Sequence, residues 1–170
     1  IYYYQTGAKQ RARDILTQAA VIDPGSAEVQ GYLGAIFQEE GKTLQAIDAF
    51  RKAAALAPEK NTYWTSLADA FIKNRQAPQA LEALNKALTL RPDDFENQAK
   101  RTALILNLGT PQEKLVATAA FLERYPRFMG AYEWRGGTLE KQGRWAEALA
   151  LYEKMTSVFP ERSEERRVGK

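Results

Sequence analysis

Residues 27–60 read AEVQGYLGAIFQEEGKTLQAIDAFRKAAALAPEK, and this stretch decides the fold. Val29, Tyr32, Leu33, Ile36 and Phe37 recur at helical spacing and form the apolar stripe of an amphipathic helix. Gly41 supplies the left-handed residue on which such a helix closes. A second stripe runs through Leu44, Ile47, Phe50, Ala53 and Ala54. It stops at Pro58, which lacks an N–H and clashes with the preceding turn. The stretch predicts helix, tight turn, helix. Two helices this short enclose no core of their own, so the pair needs neighbours.

The neighbours are legible on both sides. Pro24, Pro58, Pro92, Pro126 and Pro160 lie 34 residues apart, and Gly7, Gly41, Gly109 and Gly143 keep the same register, with Arg75 in the remaining slot. Ala12, Ala46, Ala80 and Ala148 share a position at which a small side chain lets two helix backbones approach. Leu16, Phe50, Leu84 and Tyr152 form a row of large partners, and Phe37, Phe71, Ile105 and Leu139 form another. Self-similarity at this period predicts an all-α chain of stacked helix pairs, each burying its apolar face against the next.

These residues resemble the tetratricopeptide repeat family. Residues 27–60 carry the pattern as Leu33-Gly34, Phe37, Gly41, Ala46, Phe50, Ala53 and Pro58. Residues 61–94 carry it as Trp64, Leu67-Ala68, Phe71, Ala80, Leu84, Ala87 and Pro92, and residues 129–162 as Tyr132, Arg135-Gly136, Leu139, Gly143, Ala148, Tyr152 and Pro160. The unit 95–128 departs most, with Arg101-Thr102 for Leu-Gly and Lys114 at the close-packed alanine. Its second helix still has a start signal in Thr110, Pro111 and Glu113. The resemblance implies a right-handed α-solenoid over residues 1–160, comprising a partial unit 1–26 and units 27–60, 61–94, 95–128 and 129–162. Residues 95–128 are expected to be the least regular, and the second helices to lie outside.

Both ends are expected to be cut. The register puts Ile1 inside a first helix, with Tyr2, Tyr3 and Tyr4 in its last turns. After Pro160 the sequence ERSEERRVGK has no periodicity, so residues 163–170 are expected to be a disordered or non-native tail. Apolar faces left uncovered at the ends would favour self-association.

Composition is that of a globular chain, with 45% hydrophobic and 26% charged residues. No apolar run approaches the ~18 residues of a membrane span. The net charge of +3 is spread thinly. No basic stripe of the kind that tracks nucleic acid is visible. The absence of histidine and cysteine removes the usual zinc ligands and the commonest general base. Gly41-Lys42-Thr43 ends like a phosphate-binding loop, but Ile36 stands where that loop needs glycine, and the context is a helix end. Gly41 reads as a turn and Thr43 as an N-cap. Glu39-Glu40 and Asp93-Asp94 are sequence neighbours, which do not converge as an acid–base couple. Trp134 reads either as a partner anchor or as packing against an adjacent unit. No catalytic residue, metal or cofactor is expected.

The resemblance implies a groove lined by the first helix of each unit. By register it would comprise Tyr4, Glu39, Thr65, Asp69, Ile72, Lys73, Ala103, Leu106, Asn107, Glu133 and Glu140, with Gly31, Ala35 and Gly137 as small floor positions. The terminal-carboxylate clamp of the family's chaperone-docking members is absent, because Gly31, Ala35, Thr65 and Asp69 stand in its places. The expected function is a non-catalytic scaffold that binds a peptide or protein segment. The alternative is an accessory, substrate-recruiting domain of a larger enzyme such as a transferase.

Overall fold

A computed structural model describes residues 9–160, so the readings on Tyr4 and on residues 163–170 lie outside the described residues. Among the described residues there are nine α-helices and no strand. They are α1 (Lys9–Ile22), α2 (Ala27–Glu39), α3 (Thr43–Leu56), α4 (Asn61–Lys73), α5 (Ala77–Leu90), α6 (Phe95–Leu108), α7 (Pro111–Arg124), α8 (Met129–Lys141) and α9 (Trp145–Val158). First helices begin at Ala27, Asn61, Phe95 and Met129, each 34 residues after the last. The chain divides after Asn97 into two compact units.

In the first unit α2 packs on α1 and α3, and α4 packs on α3 and α5. The alanine row does what its size allows: Ala12, Ala46 and Ala80 are fully buried. Gly34 lies directly under the Phe50 ring, where a Cβ would come within 2.6 Å of ring carbons. In the same register Ala68 and Leu84 are both buried, with the smaller residue on the first helix and the larger on the second.

Helix ends follow local chemistry. Ser26 caps α2 by accepting from the Val29 N–H at 3.3 Å. At the other end Gly41 takes φ 74°, its N–H donates to Gln38 O, and Lys42 N–H donates to Phe37 O at 2.8 Å. This is the Schellman arrangement, which satisfies carbonyls the helix leaves open. Arg75 forms the same turn, with its N–H on Ile72 O and Gln76 N–H on Phe71 O, and so holds a left-handed φ of 58° without glycine. Thr43 differs from expectation. It is the first helical residue of α3, Lys42 is the N-cap, and no side chain caps this end.

In the second unit α8 packs on α7 and α9. Gly136 repeats the Gly34 contact, with the Tyr152 ring and hydroxyl even closer to where a Cβ would stand. The corresponding positions in the preceding repeat, Thr102 and Thr118, are buried hydroxyl residues. Thr118 Oγ1 donates back to Lys114 O at 2.7 Å. The expected capping box of α7 is present: Glu113 N–H donates to Thr110 Oγ1 while Thr110 N–H donates to Glu113 Oε2 at 2.7 Å. The Thr110 N–H and, at 2.8 Å, the Thr110 Oγ1–H both donate to Glu113 Oε2, and these two hydrogen bonds hold the Glu113 carboxyl below the usual range. Gly143 is left-handed at φ 71°. Gly109 is not; its N–H bonds to Ile105 O at 2.7 Å in an α-type closure.

Two corners share one device. Trp64 Nε1–H donates to Pro58 O at 2.9 Å, and Tyr132 Oη–H donates to Pro126 O at 3.0 Å. Each aromatic residue satisfies the carbonyl of the proline that ended the previous helix.

Candidate functional site

The first unit holds Glu39, Thr65, Asp69, Ile72 and Lys73 of the expected groove. Thr65 is engaged internally. Its Oγ1 accepts from Asn97 Nδ2 at 2.8 Å and donates to Asn61 Oδ1 at 3.4 Å, while Asn61 Nδ2 donates to Ala87 O at 2.7 Å. Asn97 is fully buried and also donates through Nδ2 to Asp94 Oδ2 at 3.1 Å. A carboxylate oxygen only accepts here, which fixes the amide orientation. Asp94 in turn accepts from Asn97 N–H at 3.0 Å and caps α6. Lys73 Nζ donates to Gln38 O at 3.3 Å at the end of α2. Ile72 is half-buried, and Glu39 is exposed.

Glu40 holds two cations in this unit. Arg13 Nη1 of α1 reaches both Glu40 carboxylate oxygens at 2.7 Å, and Lys42 Nζ lies 2.8 Å from Oε2. The hydrogen bond from Lys42, helped by Arg13 and opposed by burial, lowers the Glu40 pKa.

The open cavity of this unit, about 410 Å³, lies between α2 and α4 and is lined by Glu28, Gly31, Tyr32, Ala35, Phe50, Lys60, Thr62, Tyr63 and Ser66. Gly31 and Ala35 are expected floor positions, but none of the five expected site residues of this unit lines it. Tyr63 is the residue that sequence reasoning missed. Its ring packs on Gly31, where a Cβ would come within 2.6 Å, and Lys60 Nζ stands 5.7 Å from the ring centre. The signal was a glycine inside a helix, with an aromatic residue in the first helix of the next repeat.

The second unit gathers its expected residues more fully. A cavity of about 510 Å³ is lined by Ala103, Leu106 and Asn107 of α6, Pro111 and Lys114 of α7, Glu133, Trp134, Gly137, Thr138 and Lys141 of α8, and Gln142. Four expected positions (Ala103, Leu106, Asn107 and Glu133) meet there. Glu140 does not line it. Its carboxylate accepts from Tyr152 Oη at 3.1 Å, and burial together with this partner raises the Tyr152 pKa. Trp134 packs as expected, on Phe128 (ring centres 5.5 Å) and Phe121 (6.3 Å), and it forms part of the cavity wall.

Among the described residues no group of His, Cys, Asp or Glu is arranged to hold a metal ion, and no helix is long and apolar enough to cross a membrane.

The tetratricopeptide repeat profile matches residues 33–95 and 117–160, more than half of the chain. The chain belongs to the tetratricopeptide repeat family. A crystal structure of MamA protein is similar with a TM-score of 0.76 at 20% identity, covering 96% of this chain and 89% of that one. A crystal structure of YrrB, described as a TPR protein with an unusual peptide-binding site, gives 0.74 at 23% identity, covering 94% of this chain and 82% of that one. These likenesses show the fold, an all-α solenoid of helical repeats. No curated protein matches the chain.

Proposed function

We propose that this chain is a non-catalytic protein-interaction module that takes a peptide or protein segment along the faces of its first helices. The observation that carries the reading is the cavity of the second unit, which collects Ala103, Leu106, Asn107 and Glu133 around one open space. In the first unit the reading assigns contacts to Asp69, Ile72, Glu39 and Lys73, with Thr65 as an internal support. Burying one aliphatic side chain contributes ~1.5–3 kcal/mol, whereas an exposed ion pair contributes ~0–1 kcal/mol. Leu106 and Ile72 therefore dominate affinity, and the acidic groups tune partner choice and association rate.

The test is a titration with a peptide selected by phage display against the purified chain. Leu106→Ala weakens binding several-fold at any salt, and Asp69→Lys slows association in a way that salt suppresses. Unchanged binding in both, with loss on changing Glu82 or Lys86 instead, places the site on the second helices and overturns the reading.

Self-association belongs to the same proposal. Ile47 and Leu115 are buried, but Leu149 in the same register on α9 is 61% exposed beside Trp145 at 65%. On α1, Val21 and Ile22 are exposed too. Sedimentation of the wild type against Leu149→Glu/Trp145→Glu should show a concentration-dependent assembly that the double variant lacks; a monomeric wild type refutes it.

A further inference from the structure

We infer that the second-unit cavity selects an acidic side chain adjoining a large apolar one in the segment it binds, and that Lys114 reads the acid; this rests on the peptide-binding reading above. One position of α7 breaks the alanine register. Ala12, Ala46, Ala80 and Ala148 are buried to within 3% of complete exclusion from solvent. At the same point of α7 stands Lys114, which is only partly buried and lines the cavity. A lysine side chain is too large for the space an alanine methyl occupies at a close helix crossing, so close packing gives way to an opening there.

The opening is chemically specific. Its apolar walls are Leu106 and Trp134, and its cations are Lys114 and Lys141. Neither ammonium group has an ion pair or hydrogen bond among the described residues, and the Asn107 amide has none either. Glu133 lies on the same rim and disfavours an anion on its own side, so the carboxylate of a bound segment is directed to the lysines. Gly137 keeps the cavity open, since a Cβ there would meet nothing within 4 Å. Its neighbour Gly136 has a packing reason in Tyr152, whereas Gly137 has none inside the molecule. A mid-helix glycine is unfavourable, and the free space beside it admits a partner's side chain. The volume is in the range of small-ligand sites.

The probes are N-acetyl-Glu-Leu-amide and N-acetyl-Lys-Leu-amide, followed in the intact chain by the Trp134 indole and Gly137 amide NMR signals. The Glu-Leu probe should shift both signals at millimolar concentration, with the Lys-Leu probe at least several-fold weaker. Lys114→Ala should weaken the Glu-Leu probe roughly three- to five-fold, as loss of one solvent-accessible ion pair allows, and reduce the preference over Lys-Leu to what Lys141 alone supports. Gly137→Leu fills the cavity without touching the Tyr152 contact and should remove binding of both probes, with helicity unchanged by circular dichroism. Equal binding of the two probes, or an unaltered preference in Lys114→Ala, overturns the acidic selectivity while leaving the peptide-binding reading intact. Failure of the Glu-Leu probe to bind, or its undiminished binding to Gly137→Leu, overturns the cavity assignment. The peptide-binding reading is judged separately, by the Leu106→Ala titration.

Discussion

In the first unit the second helices α3 and α5 bury six and five side chains, mostly alanine; in the second unit α7 buries four and α9 only Ala148. Both units are built on one repeat, and both keep the crossing in which a first-helix glycine lies under a second-helix ring, Gly34 under Phe50 and Gly136 under Tyr152. They differ in what surrounds it. The first unit closes its crossings with methyl groups, whereas the second gathers Phe121, Tyr125, Phe128 and Trp134 into a ring cluster and admits Lys114 beside a cavity. The crossing specifies the helix pair, and the positions around it are left to vary between close packing and open surface.

The sharpest way to break this comparison is at the crossing. Gly34→Ala forces a Cβ into the Phe50 ring and should destabilise by ~1–3 kcal/mol in chemical denaturation. Adding Phe50→Leu should recover part of the loss, because Ala68 and Leu84 already form that combination one repeat later. Gly137→Ala, with open space around it, should instead stabilise by ~0.5–1 kcal/mol. If Gly34→Ala and Gly137→Ala shift the midpoint in the same direction, the crossing is not what limits the residue size.

A smaller effect concerns the turns. Arg75 sits at φ 58° where Gly41 and Gly143 stand in their own units. Arg75→Gly relieves a backbone conformation unfavourable to a side chain by ~1 kcal/mol, less the entropy glycine adds to the unfolded chain. A net gain of a few tenths of a kcal/mol in the melting analysis is expected, and Gly41→Ala should lose more than that. A loss in Arg75→Gly would mean that the arginine side chain contributes something its strained turn does not reveal.

The smallest effect is electrostatic and confined to the first unit. Glu40 has a folded pKa below its unfolded value, so its contribution to stability is fully present above pH ~4.3. It fades as pH falls through the lowered folded pKa. Glu40→Gln should therefore cost under about 1 kcal/mol at neutral pH, and the difference from wild type should close in acid. A difference that persists at pH ~2, well below the usual carboxylate range, would show that the Arg13 and Lys42 contacts matter for shape and not for charge.

Much of this fold was legible because its signals are local. Apolar spacing gave the helices, the proline row gave the second-helix ends, and Thr110 with Glu113 announced a capping box by composition. Arg75 was less legible: the slot was visible, but an arginine there does not announce a left-handed backbone, which its own φ of 58° and the Gln76 N–H bond to Phe71 O establish. Thr43 was misread because a threonine after a turn suits either the cap or the first helical position, and Lys42 O accepting from Ala46 N–H at 3.0 Å decides it. The site was harder still. Register tells which side of a helix a residue occupies, not whether its polar atoms are already bonded. Thr65 and Glu140 share groove positions with Glu133 and Leu106, yet the first is tied to Asn97 and the second to Tyr152. Tyr63 and Lys60 were missed because their part in a cavity depends on Gly31, one repeat away.

The hydrogen bonds from Trp64 to Pro58 and from Tyr132 to Pro126 turn two corners into pinned joints. A proline carbonyl at a corner has no helical partner, so without the ring it would bond to water and the following helix could pivot about it. With the ring in place, twisting either corner must first pull a donor off that oxygen. The resistance of each corner to torque is then set by one indole and one phenol, and exchange of those two protons with solvent clocks how often the joint slips.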